Sequence, residues 1–208
     1  MKKFLMLAAA LAAASGIAMA DPACASGMNI IGIGGPITVT PGQTYSSAFS
    51  CQLGASVFSN FSVVTNTGFP ASSTFSLALS VNTSADTLDF GITLSAGEDV
   101  RLFYQISPGI PGMIMTVAGS GSTIIETACD QAFTGVICGD TPLANFAVSS
   151  NKTGAAAFAP AATDFIFKDI SAGNGLSDFT QQIVPEPMTL TLMGAGLLGL
   201  GIFGRRRK

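Results

Sequence analysis

Eleven carboxylates and three bases stand between Asp21 and Val184, and the 208-residue chain has no histidine anywhere. Without histidine, Ser-His-Asp and Cys-His triads, His-ligated metals and His general bases are impossible. What remains is carboxylate chemistry. Asp86 and Asp89 stand beside the start of a strand, Glu98-Asp99 follows the turn residues Ala96-Gly97, and Asp130 and Asp140 fall nearby in further loops. Two acids flanking a sugar can hydrolyse a glycosidic bond, but acids at loop tips are ordinarily solvated charges, and the chain lacks the Trp that would stack a sugar ring. The same six acids suit a hard cation such as calcium, yet no Asp-x-Asp-x-Asp-Gly loop is present. Gly32-Ile33-Gly34-Gly35 is followed by Pro36 and a strand-like run, whereas a phosphate cradle opens a helix. The expectation is a protein without enzymatic activity, cofactor or bound metal.

Cys24, Cys51, Cys129 and Cys138 are the four cysteines. No Cys-x-x-Cys occurs, so a zinc centre would need four scattered thiolates. Four cysteines allow three disulfide connectivities. Closeness along the chain favours Cys129–Cys138, around the short loop Asp130 to Ile137, which leaves Cys24 to pair with Cys51. Such bonds imply an oxidising compartment.

The two ends supply the route to one. Lys2-Lys3 is a basic start, Phe4 to Ala14 an apolar run, and Ala18 and Ala20 are small residues placed for signal-peptidase cleavage before Asp21. At the other end Val184-Pro185-Glu186-Pro187 precedes an apolar stretch, Met188 to Gly204, followed by Arg205, Arg206, Arg207 and Lys208. As a helix the stretch would be about 26 Å long, slightly short of a ~30 Å hydrocarbon core. The prolines suit its entrance, and the four cations would stay cytoplasmic. The chain thus divides into a signal peptide (1–20), an exported domain (21–183) and a tail (184–208) with a transmembrane helix at 188–204 and basic residues at 205–208. Six of the nine bases lie in the two ends. The acidic body therefore has no Lys/Arg cluster with which to bind nucleic acid.

The body must position whatever chemistry there is, and its dominant signal is a period of two. Phe75, Leu77, Leu79 and Val81 alternate with small or polar residues; so do Leu88, Phe90, Ile92 and Leu94. Val100, Leu102, Tyr104 and Ile106 alternate as well, with Phe103 breaking the polar face. Weaker strands are predicted at 28–33, 36–40, 44–50, 57–65, 113–118, 122–128, 143–149 and 163–170. Turn residues separate them, among them Pro41-Gly42, Pro108-Gly109 and Gly173-Asn174-Gly175. No sustained 3.6-residue period occurs. Short strands at this spacing, each with one apolar face, predict an all-β fold: a single β-sandwich, Ig-like or jelly-roll-like, with a Phe-based core.

The Val-Pro-Glu-Pro motif, the Gly/Leu-rich stretch from Met193 to Gly201 and the terminal basic cluster together resemble the PEP-CTERM sorting signal, a tail also labelled ice-binding protein C-terminal domain. The body is similar to exported PEP-CTERM proteins in looser patterns: Val57 to Val63 after Cys51, Leu94 to Val100, Glu126 to Cys129, and Phe165 to Ile170. The resemblance implies a Gram-negative surface or matrix protein processed by exosortase, a membrane enzyme resembling cysteine transpeptidases. Pro185, Glu186 and Pro187 would then be recognition residues for that enzyme. The competing reading of the tail is a permanent single-span anchor.

The expected function is that of a non-enzymatic surface or extracellular-matrix protein, associated with exopolysaccharide or biofilm. Its expected partners are signal peptidase, exosortase, the inner membrane transiently, and exopolysaccharide. The alternative is a carbohydrate- or ice-binding module, which needs an exposed flat Thr/Ser-rich or aromatic face; Thr38-Val39-Thr40 is the sequence's hint of one.

Overall fold

The computed structural model describes residues 21–25, 27–31, 37–38, 40–66, 74–75, 77–82, 87–139 and 141–183. Among them are fifteen strands and no helix: β1 Met28–Ile31, β2 Ile37–Thr38, β3 Thr44–Ser46, β4 Cys51–Leu53, β5 Ser56–Thr65, β6 Thr74–Phe75, β7 Leu77–Asn82, β8 Thr87–Leu94, β9 Glu98–Ser107, β10 Gly112–Gly119, β11 Thr123–Cys129, β12 Ala144–Ser149, β13 Lys152–Ala157, β14 Asp164–Ala172 and β15 Leu176–Ile183. They form two antiparallel sheets, ordered β1-β7-β8-β15-β10-β13 and β12-β11-β14-β9-β5-β3, with β4 also on β5 and a separate β2-β6 pair. From β8 to β15 the chain changes sheet at every connection except β11 to β12.

The alternation read from the sequence is the alternation of burial. Leu88, Phe90, Ile92 and Leu94 of β8 face Val100, Leu102, Tyr104 and Ile106 of β9 across one core. Aromatic rings cross it in a column. Phe61 lies 5.4 Å from Tyr104, Tyr104 5.8 Å from Phe90, and Phe90 4.9 Å from Phe179, so the column passes from the larger sheet into the smaller. Offset ring pairs of this kind add to the area they bury.

Three strands escape the sequence reading: β4, β13 and β15. β13 is Lys-Thr-Gly-Ala-Ala-Ala, too small-sided to signal a strand. Its Gly154 is required by packing, because a Cβ there would come within 2.4 Å of Val148 Cγ2. β15 lies inside its sheet, between β8 and β10. Its pattern was hidden by a register shift between Leu176 and Asp178 and by a glutamine, Gln181, at a core position.

Candidate functional site

β5 contains one residue too many for its partner. Ser59 pairs with Gln105 and Ser62 with Phe103, so Asn60 and Phe61 together oppose Tyr104. Asn60 takes the left-handed conformation that Asn tolerates better than most residues (φ 55°). The bulge keeps both Phe58 and Phe61 in the core and turns Asn60 outward. There its Nδ2 donates to Gln105 Oε1 at 2.7 Å.

Beside this amide pair the outer face of the larger sheet is aromatic. Phe103 of β9 and Phe167 of β14 are direct cross-strand neighbours with rings 5.0 Å apart. The Cys129–Cys138 loop folds back over them and places Phe133 5.9 Å from Phe103 and 5.7 Å from Phe167. Paired backbone hydrogen bonds between Thr134 and Ile137 tighten the loop tip, with Gly135 at φ 67°. Val136 and Ile137 are left exposed. Between loop and bulge lies a groove of ≈ 220 Å³ lined by Asn60, Ser62, Phe103, Gln105, Phe133 and Phe165 among others. Apolar rings beside a few fixed amides and hydroxyls are the usual makeup of a small-ligand site. In the sequence Phe103 looked like a flaw in a polar face; it is the floor of this groove.

Further along the same strands Arg101 Nε lies 3.9 Å from Asp169 Oδ1. Neighbouring Asp99 is held above the usual carboxylate range by burial and then by the charge of Asp169, with Arg101 opposing. Glu98 is not a solvated loop acid: it is buried, and its Oε2 accepts from Ser95 N at 2.6 Å, closing the β8–β9 turn. Asp130 is exposed at the start of the disulfide loop, and Asp89 lies within β8. Asp86, Asp140, Gly32–Gly35 and Val39 lie outside the described residues. Among the described residues no three acids or cysteines are grouped so as to hold a metal.

Cys24 is bonded to Cys51 and Cys129 to Cys138. Ala18, Ala20, the motif Val184 to Pro187, the stretch 188–204 and Arg205 to Lys208 lie outside the described residues. On the outer face of the smaller sheet Thr153, Thr116 and Thr180 form one cross-strand rank. The first two are 2.9 Å apart and hydrogen-bonded to each other.

A second polar cluster, which the sequence did not reveal, is buried between the sheets. Glu126 of β11 and Lys168 of β14 are direct cross-strand partners, fully buried, with Lys168 Nζ 2.7 Å from Glu126 Oε2. Gln181 of β15 faces them from the other sheet and accepts from Lys168 Nζ at 2.6 Å through Oε1. Burial pushes the Glu126 carboxyl up and the Lys168 amine down, each opposed by the charge of the other.

Comparison with known proteins bears mainly on the tail. Among curated proteins none matches the chain. Among solved structures, one titled as TmCBM61 in complex with β-1,4-galactotriose is similar with a TM-score of 0.36 and 12% identity, over 61% of this chain and 88% of that one. Residues 184–208 match the family described as the PEP-CTERM protein-sorting motif, so the chain carries that motif at its C-terminal end.

Proposed function

We propose that this chain is a non-enzymatic exported protein of the Gram-negative surface or extracellular matrix, delivered through signal peptidase and then cleaved by exosortase. The observation that carries this reading is the sorting motif at 184–208. The two disulfides, which suit an oxidising compartment, support it independently. In this reading Pro185-Glu186-Pro187 is presented at the membrane by the 188–204 helix, and Arg205 to Lys208 hold the far end inside. The test is intact-mass measurement from a host with exosortase. Wild-type protein should have lost Met188 to Lys208, and replacing Pro185-Glu186-Pro187 by alanines should leave a longer, membrane-retained form. Wild-type protein that keeps Arg205 to Lys208 in that host would reduce the tail to an anchor.

The mature domain, 21–183 in this reading, holds polysaccharide in the groove under the disulfide loop. Its aromatic floor and amide rim suit a sugar, whose ring has apolar faces and hydroxyl edges. The groove favours carbohydrate over ice as a ligand, because the threonine rank opposite is short and partly bonded to itself. The crossing order of β8 to β15 supports a jelly-roll reading of the sandwich, an architecture used by lectin domains. Titration calorimetry with the producing strain's exopolysaccharide should detect binding, and Phe103→Ala or Asn60→Ala should weaken it about tenfold, or 1.4 kcal/mol. Binding unchanged in both variants would remove the groove from the account.

A further inference from the structure

At the centre of the sandwich a primary amine, a carboxamide and a carboxyl group are in contact and sealed from water. Two cross-strand pairs create this meeting: Glu126 opposite Lys168 in one sheet, and Met115 opposite Gln181 in the other. Lys168 Nζ touches Glu126 Oε2 at 2.7 Å, Gln181 Oε1 at 2.6 Å and Met115 Sδ at 3.5 Å. Gln181 Nε2 donates to Ile114 O at 3.3 Å. Rings of Phe179 and Tyr104 lie 5.3 and 5.9 Å from the amine. Lys168, Glu126 and Gln181 have no solvent exposure. Glu126 Oε1 and the Tyr104 hydroxyl are buried without a hydrogen-bond partner.

As a mere ion pair this is a poor arrangement, because desolvating two charges offsets most of their attraction. As a set of reactants it is complete. We propose that Lys168 and Gln181 form an intramolecular isopeptide bond, with Glu126 as the proton carrier, covalently joining the two sheets.

The atoms balance without a co-reactant. Glu126 takes a proton from the Lys168 ammonium, leaving a neutral amine and a neutral acid. The Nζ lone pair adds to Gln181 Cδ, one bond beyond the oxygen it already touches, after rotation of the amide about its terminal torsion. Glu126 then relays a proton from Nζ to Nε2, the Cδ–Nε2 bond breaks, and ammonia leaves. The products are a secondary amide between Nζ and Cδ, ammonia, and Glu126 as a neutral acid. Burial pushes the amine and the carboxyl toward their neutral forms, the forms the reaction needs. Fixed contact replaces a bimolecular encounter, and such positioning lowers the barrier. Escape of ammonia into bulk water makes the step one-way, and two buried charges disappear.

A peptide map of the full chain, reduced, denatured and digested with trypsin and chymotrypsin, tests this. The expected product is a branched peptide joining Lys168 to Gln181, lighter by one ammonia than its two linear parts. Lys168 should also resist trypsin and an amine-reactive label after denaturation. Glu126→Gln should slow bond formation by about 100-fold or more, the usual effect of losing a positioned acid–base group. Lys168→Arg should abolish the branched peptide. Linear Lys168 and Gln181 peptides from folded wild-type protein, with Lys168 carrying the label, would overturn the proposal, whether or not the variants fold. So would loss of one water in a link between Lys168 and Glu126.

Discussion

The two faces of β14 reverse the usual rule. Its inward side carries Asp164 and Lys168 at full burial beside Ile166 and Ile170, whereas its outward side carries Phe165 and Phe167. Inside, polarity is tolerated because every charged group meets a specific partner: Lys168 meets Glu126 and Gln181, and Asp164 accepts from Ile110 N at 2.6 Å and Ala161 N at 3.2 Å. Outside, aromatic surface is tolerated because the Cys129–Cys138 loop covers part of it with Phe133. The inner cluster is a closed set of reactive groups, and the outer one is an open groove. In a β-strand, the side a residue faces follows from its parity, and what makes that side acceptable is supplied by other strands.

Substitutions separate the two faces, and the inner ones should be the more damaging. Lys168→Met leaves Glu126 buried without its partner and should cost about 3–5 kcal/mol in denaturant unfolding. Adding Glu126→Leu should recover most of that loss if the pair is only ionic, and little of it if Lys168 and Gln181 are covalently joined.

Asp164→Ala, on the same inward side, strands two backbone donors and should cost about 2–3 kcal/mol. A thermal melt reads it, and polysaccharide binding in the groove should survive wherever the domain remains folded.

On the outer face the effects should be smaller and should fall on binding. Replacing Cys129 and Cys138 by alanine should cost about 2 kcal/mol of stability. It should also free Phe133 from Phe103 and Phe167, so that calorimetric binding weakens more than in Asp164→Ala. Equal weakening in the two variants would mean that the loop does not shape the groove.

The smallest effect concerns Asp99. Its carboxyl is raised in the folded state by burial and by Asp169. Its protonated form therefore favours the fold at low pH, and that contribution is lost as pH rises through the carboxylate range toward the raised value. Asp99→Asn should accordingly gain about 0.5 kcal/mol at neutral pH and nothing at acid pH. Unfolding midpoints at the two pH values check the sign.

Much of this protein was legible from local pattern. The sorting motif needs only a motif, an apolar stretch and a basic end in order, all contiguous. The strands with clean alternation, β8 and β9 above all, announce themselves because their inward residues from Leu88 to Leu94 and from Val100 to Ile106 are apolar. Cys129–Cys138 follows from closeness along the chain, and Cys24–Cys51 by elimination. Legibility was weakest where small side chains, an inward polar residue or a bulge blurred the alternation. Asn60 offsets β5 by one residue, and Gln181 with the Leu176–Asp178 shift concealed β15.

The sequence alone therefore determined the sorting motif at 184–208, the all-β class and most of the strand faces, because a period of two is a property of consecutive residues. Only the tertiary structure decided that Glu126, Lys168 and Gln181 meet. Nothing in a run of residues states which strand lies beside β14 or which sheet faces it. Those neighbours are set by the crossing order of the strands, and that order turns three scattered polar residues into one buried site.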